Sequence, residues 1–439
     1  MSEKNPDNGA QEEPGRKVTR AVAQIRLIKQ EFGGEVEIDP GDWADVGYAN
    51  RIYRAGSFLV RDRDVPRIRD LFGRERQEDT FDGIEGLTRF QPPPDFNIDV
   101  LPPGPNLTSK YIAYADAQLG RGVARFDDLV YVCSVSPCPA TEPLEVQPAV
   151  SPTPAPVGGN CDGRGVKVLI VDVGWTKTNK HWLAGVTGED EHPYSSGTNI
   201  RPYAGHGVFI AGVLRCIAPQ TEIVVKAYLN RAGAEFGFDL VRKLEEGLGE
   251  NPDLISLSAG AKTGDGSTLL AFEVFMEHLA ERKGVLLVAA AGNDGDREFF
   301  FPAASPDTLS VGALAEDLHN RATFSNYGSW VDVYAPGENL VNAYLNGTYT
   351  CTEPPHEHEV RTFSGMCRWS GTSFATPLVA GLIAGRMSVT GENAKEAAAA
   401  LKSFAGNRSI SGLGRTLLPS DACASTEVHK CGCPPKPHC

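Results

Sequence analysis

S-G-T-S-F-A-T-P-L-V-A-G-L-I-A-G, residues Ser370 to Gly385, joins a hydroxyl-rich start to a run of apolar and small residues. Gly371 lets other backbone approach closely, Thr372 and Ser373 suit the first residues of a helix, and Pro377 is expected in the first turn, where no intrahelical N–H is needed. After Pro377 the pattern has no polar face, so the helix is expected to be buried on all sides. A serine at the start of such a helix sits at the positive end of its dipole, beside N–H groups able to hold a developing oxyanion. Taken alone, Ser373 reads better as an N-cap.

Three other stretches decide between those readings. Residues 166–172, V-K-V-L-I-V-D, form a short apolar run typical of a buried parallel strand, ending on Asp172. In open α/β sheets the working residues gather at such strand ends. G-H-G-V-F-I-A-G-V-L places His206 between two glycines at the mouth of a helix, and V-A-A-A-G-N-D-G places Asn293 in a turn after a strand. Each has an ordinary reading by itself: a strand-end turn former, a helix-start histidine, a turn asparagine. The heptad G-T-S-F-A-T-P, however, resembles the nucleophile motif of the subtilisin-like serine proteases, or subtilases. Aspartate, histidine, asparagine and serine follow in that family's order, and the resemblance covers roughly residues 162 to 405.

The resemblance implies an α/β, three-layer subtilisin-like fold with a mostly parallel sheet, and a serine endopeptidase working through an acyl-enzyme. Ser373 would attack the scissile carbonyl, His206 take and return its proton, and Asp172 hold the imidazole. Asn293 would form the oxyanion hole with the Ser373 N–H, a donor of that kind contributing about 3 to 4 kcal/mol. Ser258, Ala259 and Gly260, with Ala291 and Gly292, match the segments that bind extended substrate. The order Asp, His, Ser excludes an α/β-hydrolase, whose serine comes first. Two positions depart from the family: Val173 and Val208 stand where hydroxyl residues are usual. Their loss motivates the alternative of a catalytically weak pseudoprotease acting as a binding or regulatory protein.

Strand and helix alternate through this part. Strands are expected at 166–172, 223–229, 254–258, 285–290 and 309–313, and helices at 206–215, 238–247, 269–282, 373–387 and 394–404. The expected organisation is a disordered start (1–20), an N-terminal α+β region (21–140), a proline-rich linker (141–160), the peptidase domain (161–410) and a Cys-rich tail (411–439). Within the N-terminal region, strands at 57–61, 86–90 and 129–132 and helices at 65–73 and 113–119 suggest a ferredoxin-like unit. Its place resembles that of a subtilase propeptide, an intramolecular inhibitor released by cleavage in the linker. An accessory domain that recruits a partner is the other reading.

A formal charge of −14 argues against nucleic acid as a partner, leaving protein or peptide substrates. No apolar run is long enough to span a bilayer. Residues 1 to 17 hold no apolar signal segment, so a cytoplasmic protein is expected, with secretion as the alternative raised by ten cysteines. Cys351 and Cys367 are candidates to pair, and Cys216 to be a core residue. The tail K-C-G-C-P-P-K-P-H-C reads as flexible or disulfide-linked rather than zinc-binding. The chemistry requires no cofactor, and no calcium ligand set matches.

Overall fold

Val168, Leu169, Ile170 and Val171 are all fully buried, so consecutive side chains of this run face two different apolar layers. The computed structural model in which they lie describes residues 14–73, 84–132, 141–147, 150–156 and 158–427. Its N-terminal part carries α1 (Pro14–Phe32), β1 (Val36–Asp39), α2 (Trp43–Val46), β2 (Arg51–Arg54), β3 (Phe58–Arg61), α3 (Val65–Phe72), β4 (Leu87–Phe90), α4 (Leu107–Leu119) and β5 (Leu129–Tyr131). There follow β6 (Lys167–Asp172), β7 (Thr187–Gly188), β8 (Tyr194–Ser196), β9 (Asn199–Ile200), α5 (His206–Ile217), β10 (Glu222–Ala227), β11 (Ala234–Phe236), α6 (Gly237–Gly247) and β12 (Leu254–Leu257). The last third holds α7 (Leu270–Glu281), β13 (Leu286–Ala290), β14 (Leu309–Leu314), β15 (Val333–Pro336), β16 (Leu340–Thr350), β17 (Val360–Trp369), α8 (Thr372–Thr390), α9 (Ala394–Gly406) and α10 (Asp421–Glu427).

Seven strands form one sheet in the order β15-β14-β13-β12-β6-β10-β7, every pair parallel. Val168 and Ile170 pack with α5 and α8 residues such as Phe209, Leu378 and Leu382 on one face. Leu169 and Val171 pack with Phe238 and Leu240 of α6 and Phe272 of α7 on the other. This is the three-layer α/β fold the sequence implied, and all five expected strands are neighbours within it. The edge strands β7 and β15 escaped notice because one is two residues long and the other ends in proline. The stretch between Cys351 and Cys367 belongs to the antiparallel hairpin β16–β17. Cys367 there faces Asn342, and both Cys351 and Cys367 are buried free thiols, so that pairing is corrected. Among the described residues a disulfide joins Cys161 to Cys423 instead, with a Cα–Cα separation of 5.6 Å. Cys216 is a core residue of α5, fully buried.

In the N-terminal part the expected strands and helices appear as β3, α3, β4, α4 and β5, but not in a ferredoxin-like sheet. β3 pairs antiparallel with β4, β1 with β2, and β5 with β11 of the larger part. The physical reason is a divided core. Phe58, Ile68, Phe72, Phe90 and Tyr111 pack among themselves, whereas Ile25, Phe32, Ile52 and Leu129 join the core that contains Leu169 and Phe238. The unstructured start expected over 1–20 gives way to α1 at Pro14. Residues 1–13, Cys133, Cys138 and the K-C-G-C-P-P-K-P-H-C run lie outside the described residues.

The proline-rich stretch expected as a linker from residue 141 is, in its described residues, bound along the larger part. Leu144 and Arg368 exchange two backbone hydrogen bonds of 2.9 Å, and Thr153 N–H donates to Val341 at 2.8 Å. The Glu142 carboxylate accepts from the Tyr349 hydroxyl at 2.9 Å and from the Thr352 N–H at 2.7 Å. Among the described residues no helix is long and apolar enough to cross a membrane, and no group of three or more His, Cys, Asp or Glu is placed to hold a metal ion.

Candidate active site

Asp172 is the last residue of β6 and fully buried. Its Oδ1 accepts from the N–H of Val173 at 2.8 Å, and its Oδ2 meets Nδ1 of His206 at 2.8 Å. An ionised carboxylate there makes Nδ1 the protonated nitrogen and leaves Nε2 as the basic one. Nε2 is buried with no hydrogen-bond partner among the described residues.

His206 opens α5 because Gly205 turns the chain into it with φ +82°, and a Cβ at Gly205 would come within 2.6 Å of Tyr344. Gly207 is equally constrained: a Cβ there would stand 2.2 Å from the Gly174 carbonyl and 3.3 Å from Asp172 Oδ1. The two glycines flanking His206 thus bring helix start and strand end into contact. The imidazole is held edge-on to Trp369, with centroids 5.7 Å apart, and against Phe374 at 5.4 Å. Phe374 follows Ser373 in α8, so the residue next to the serine packs against the imidazole.

Ser373 is the second residue of α8, whose cap, Gly371, contributes no side chain. Its placement at the positive helix end is as read from the sequence. Pro377 is not in the first turn but deeper in the helix, where it lacks the N–H that would bond the Ser373 carbonyl. The hydroxyl of Ser258 donates to that carbonyl at 2.9 Å. Asn293 is also brought here: its Oδ1 accepts from the N–H of Thr372 at 2.9 Å and from the Thr372 hydroxyl at 2.8 Å. That fixes the amide's orientation, so the Nδ2 end faces away from Thr372. Asp172, His206, Asn293 and Ser373 are each at most 2% exposed.

Of the strip Ser258, Ala259 and Gly260, Gly260 is paired with the N-terminal part. Tyr131 N–H donates to Gly260 O, and Gly260 N–H to Tyr131 O, each at 3.0 Å. On its other side β5 runs antiparallel to β11, and the Val132 N–H donates to Gly233 at 2.7 Å. Residues 129–132 therefore lie between β11 and the bridge at Gly260. Gly292, at φ +96°, accepts from Asn326 N–H at 3.0 Å, and Asn326 Oδ1 in turn accepts from Asp294 N–H at 2.8 Å.

Sequence reasoning missed several contributors. Lys262, next to the strip, contacts Asp294, Asp296 and Glu298 at 3.2, 2.6 and 3.1 Å. Burial works against its charge, but the carboxylates overcome it and hold the ammonium well above its usual range. Trp369 stands one residue before the S-G-T-S stretch and was the most findable of these. Asn326 reaches the site only through folding, and of β5 the strand was legible in the sequence but its pairing with Gly260 and β11 was not.

Residues 163–401 match the family model described as the subtilase family. The chain is similar to thermitase of Thermoactinomyces vulgaris, 30% identical over 263 residues, covering 58% of this chain and 85% of that one. It is similar also to subtilisin Savinase of Lederbergia lenta, 29% identical over 247 residues, with 54% and 81% covered. Among solved structures a mutant of the protease domain of PatA is 25% identical, with a TM-score of 0.49 over 62% of this chain and 99% of that one.

Proposed function

The chain belongs to the subtilase family of serine endopeptidases, and from that premise we propose that it hydrolyses peptide bonds through Asp172, His206 and Ser373, held in check by its own N-terminal part. The observation that carries the reading is the 2.8 Å contact between Asp172 Oδ2 and His206 Nδ1, beside a serine at a helix start. Ser373 Oγ attacks the carbonyl carbon while His206 Nε2 takes its proton; Asp172 keeps the tautomer and stabilises the imidazolium. The Ser373 N–H and Asn293 Nδ2 hold the tetrahedral oxyanion. The imidazolium protonates the leaving amine, and water, activated by the same nitrogen, hydrolyses the acyl-enzyme. No cofactor enters any step.

Residues 129–132 occupy the strip where a substrate strand would add to β11 and Gly260, so the N-terminal part acts as an intramolecular inhibitor. Because Leu144 is paired with β17 and Thr153 with β16, self-cleavage falls within residues 133–140 rather than among those paired residues. Intact-mass measurement of the purified chain over time tests this. Two fragments joining within 133–140 form in the wild type and not in Ser373→Ala, and a fluorophosphonate adds once to the C-terminal fragment. An uncut chain that takes no adduct would overturn the reading in favour of a pseudoprotease.

A further inference from the structure

Glu189-Asp190-Glu191 belongs to none of the motifs that define the site, yet it is anchored beside it. The Glu189 N–H donates to Val225 at 2.9 Å, and its carbonyl accepts from the Trp175 N–H at 2.7 Å. This backbone, continuing β7, carries Glu191 into a nearly closed position, 9% exposed. One carboxylate oxygen, Oε1, accepts from the Thr176 hydroxyl at 2.6 Å. The other, Oε2, accepts from the N–H of Gly205 at 2.9 Å. Thr176 lies on the exit from β6, four residues after Asp172; Gly205 is the turn residue immediately before His206. A single side chain thus fastens the segment leaving Asp172 to the turn delivering His206. Val173, which has no hydroxyl to offer Asp172, lines the same small cavity of about 60 Å3 as Glu191.

We infer that Glu191 is a positioning residue for the Asp172–His206 pair, acting twice: its two hydrogen bonds hold the His206 turn against the β6 exit, and its negative charge favours the imidazolium. The inference rests on the catalytic reading above. Burying an acid here carries a penalty that a structural tie would avoid by using an amide. Burial pushes the Glu191 carboxyl up to about 7, with the charges of Asp172 and Asp190 adding to it, while the bonds from Thr176 and Gly205 act the other way. The other titratable or charged groups around it are Tyr194 of β8, Tyr344 of β16, and His192, Arg201 and Glu31, which line its cavity. The charge on Glu191 is therefore gained over the pH range in which a histidine base comes into use.

The test separates this role from the catalytic reading. In full-length Ser373→Ala, labelled with 15N-histidine, the His206 titration is followed by NMR with and without Glu191→Gln. The amide retains an acceptor for Gly205 but has no charge, so the midpoint of His206 falls by about half a pH unit or more. This readout needs no turnover, so it decides the inference even where the chain proves inactive. In the chain with Ser373 intact, Glu191→Ala lowers kcat about tenfold with KM within twofold, and Glu191→Gln restores most of the loss above pH 8 while its acid limb moves to lower pH. An unmoved His206 midpoint, or a kcat within twofold of wild type in Glu191→Ala, overturns the inference.

Discussion

The hydroxyl of Ser258 donates to the main-chain carbonyl of Ser373 at 2.9 Å, filling the acceptor that Pro377, four residues after Ser373 in the helix, leaves open. Both groups are buried. Ser258→Ala leaves the carbonyl unsatisfied and costs about 1–3 kcal/mol, read as a lower urea midpoint. Adding Pro377→Ala supplies an N–H to the same carbonyl and recovers part of that loss. A double-mutant cycle checks the pair; strictly additive effects would disprove the exchange of partners.

The Asn293 carbonyl is held by Thr372, and in the mechanism proposed above its amide nitrogen is the oxyanion donor. Asn293→Ala is expected to lower kcat about 10²–10³-fold with little change in KM, the usual result of removing one oxyanion donor. Asn293→Asp keeps the acceptor for Thr372 and loses the donor. It should match the kcat loss while melting closer to wild type, and steady-state kinetics with thermal unfolding of both variants measures the split.

Arg54 is one of the electrostatic ties between the N-terminal part and the peptidase part. Its guanidinium lies 2.7 Å from Asp127 Oδ2, pairs with Asp239, and stacks 3.7 Å from the centroid of Phe236 on β11. Asp127 is fully buried, so Arg54→Ala strands a charge at about 3–5 kcal/mol. The expected outcome is release of β5: faster labelling of Ser373 by a fluorophosphonate and faster proteolysis of the N-terminal part. Labelling no faster than wild type would contradict the inhibitory role of β5.

Asp128, one residue before β5, is pushed up to about 6, chiefly by burial; Arg51, 2.7 Å away, acts against that shift. The ordinary value is 3.8, so the folded state holds this proton more tightly than the unfolded chain does. Its contribution to stability is complete below about 4 and is lost as pH rises through about 6. Urea midpoints from pH 4 to 8 should fall across that window more steeply in wild type than in Asp128→Asn. Parallel curves would refute the assignment.

The sequence by itself determined the catalytic part to a large degree. Apolar runs without alternation mark strands buried on both faces, so the five central strands were legible before any geometry. Glycines at Gly205 and Gly207 and the hydroxyl-rich start of α8 carry local conformational demands that need no distant partner to be read. The chain order of Asp172, His206, Asn293 and Ser373 added the family, and with it the site.

What only the tertiary structure decided are relations between residues far apart in the chain. Pairing of β5 with β11, of Cys161 with Cys423, and of the Thr141 stretch with β17 depends on which apolar surfaces are buried together, and no local pattern encodes that choice. The ferredoxin-like expectation failed for this reason, because α1, β2 and β5 find a larger apolar surface on the peptidase part than on one another. Glu191 is the sharpest case. An acid in an acidic loop reads as solvated, and its meaning appears only when folding sets its two oxygens against Thr176 and Gly205 and removes the water that would have made its charge inconsequential.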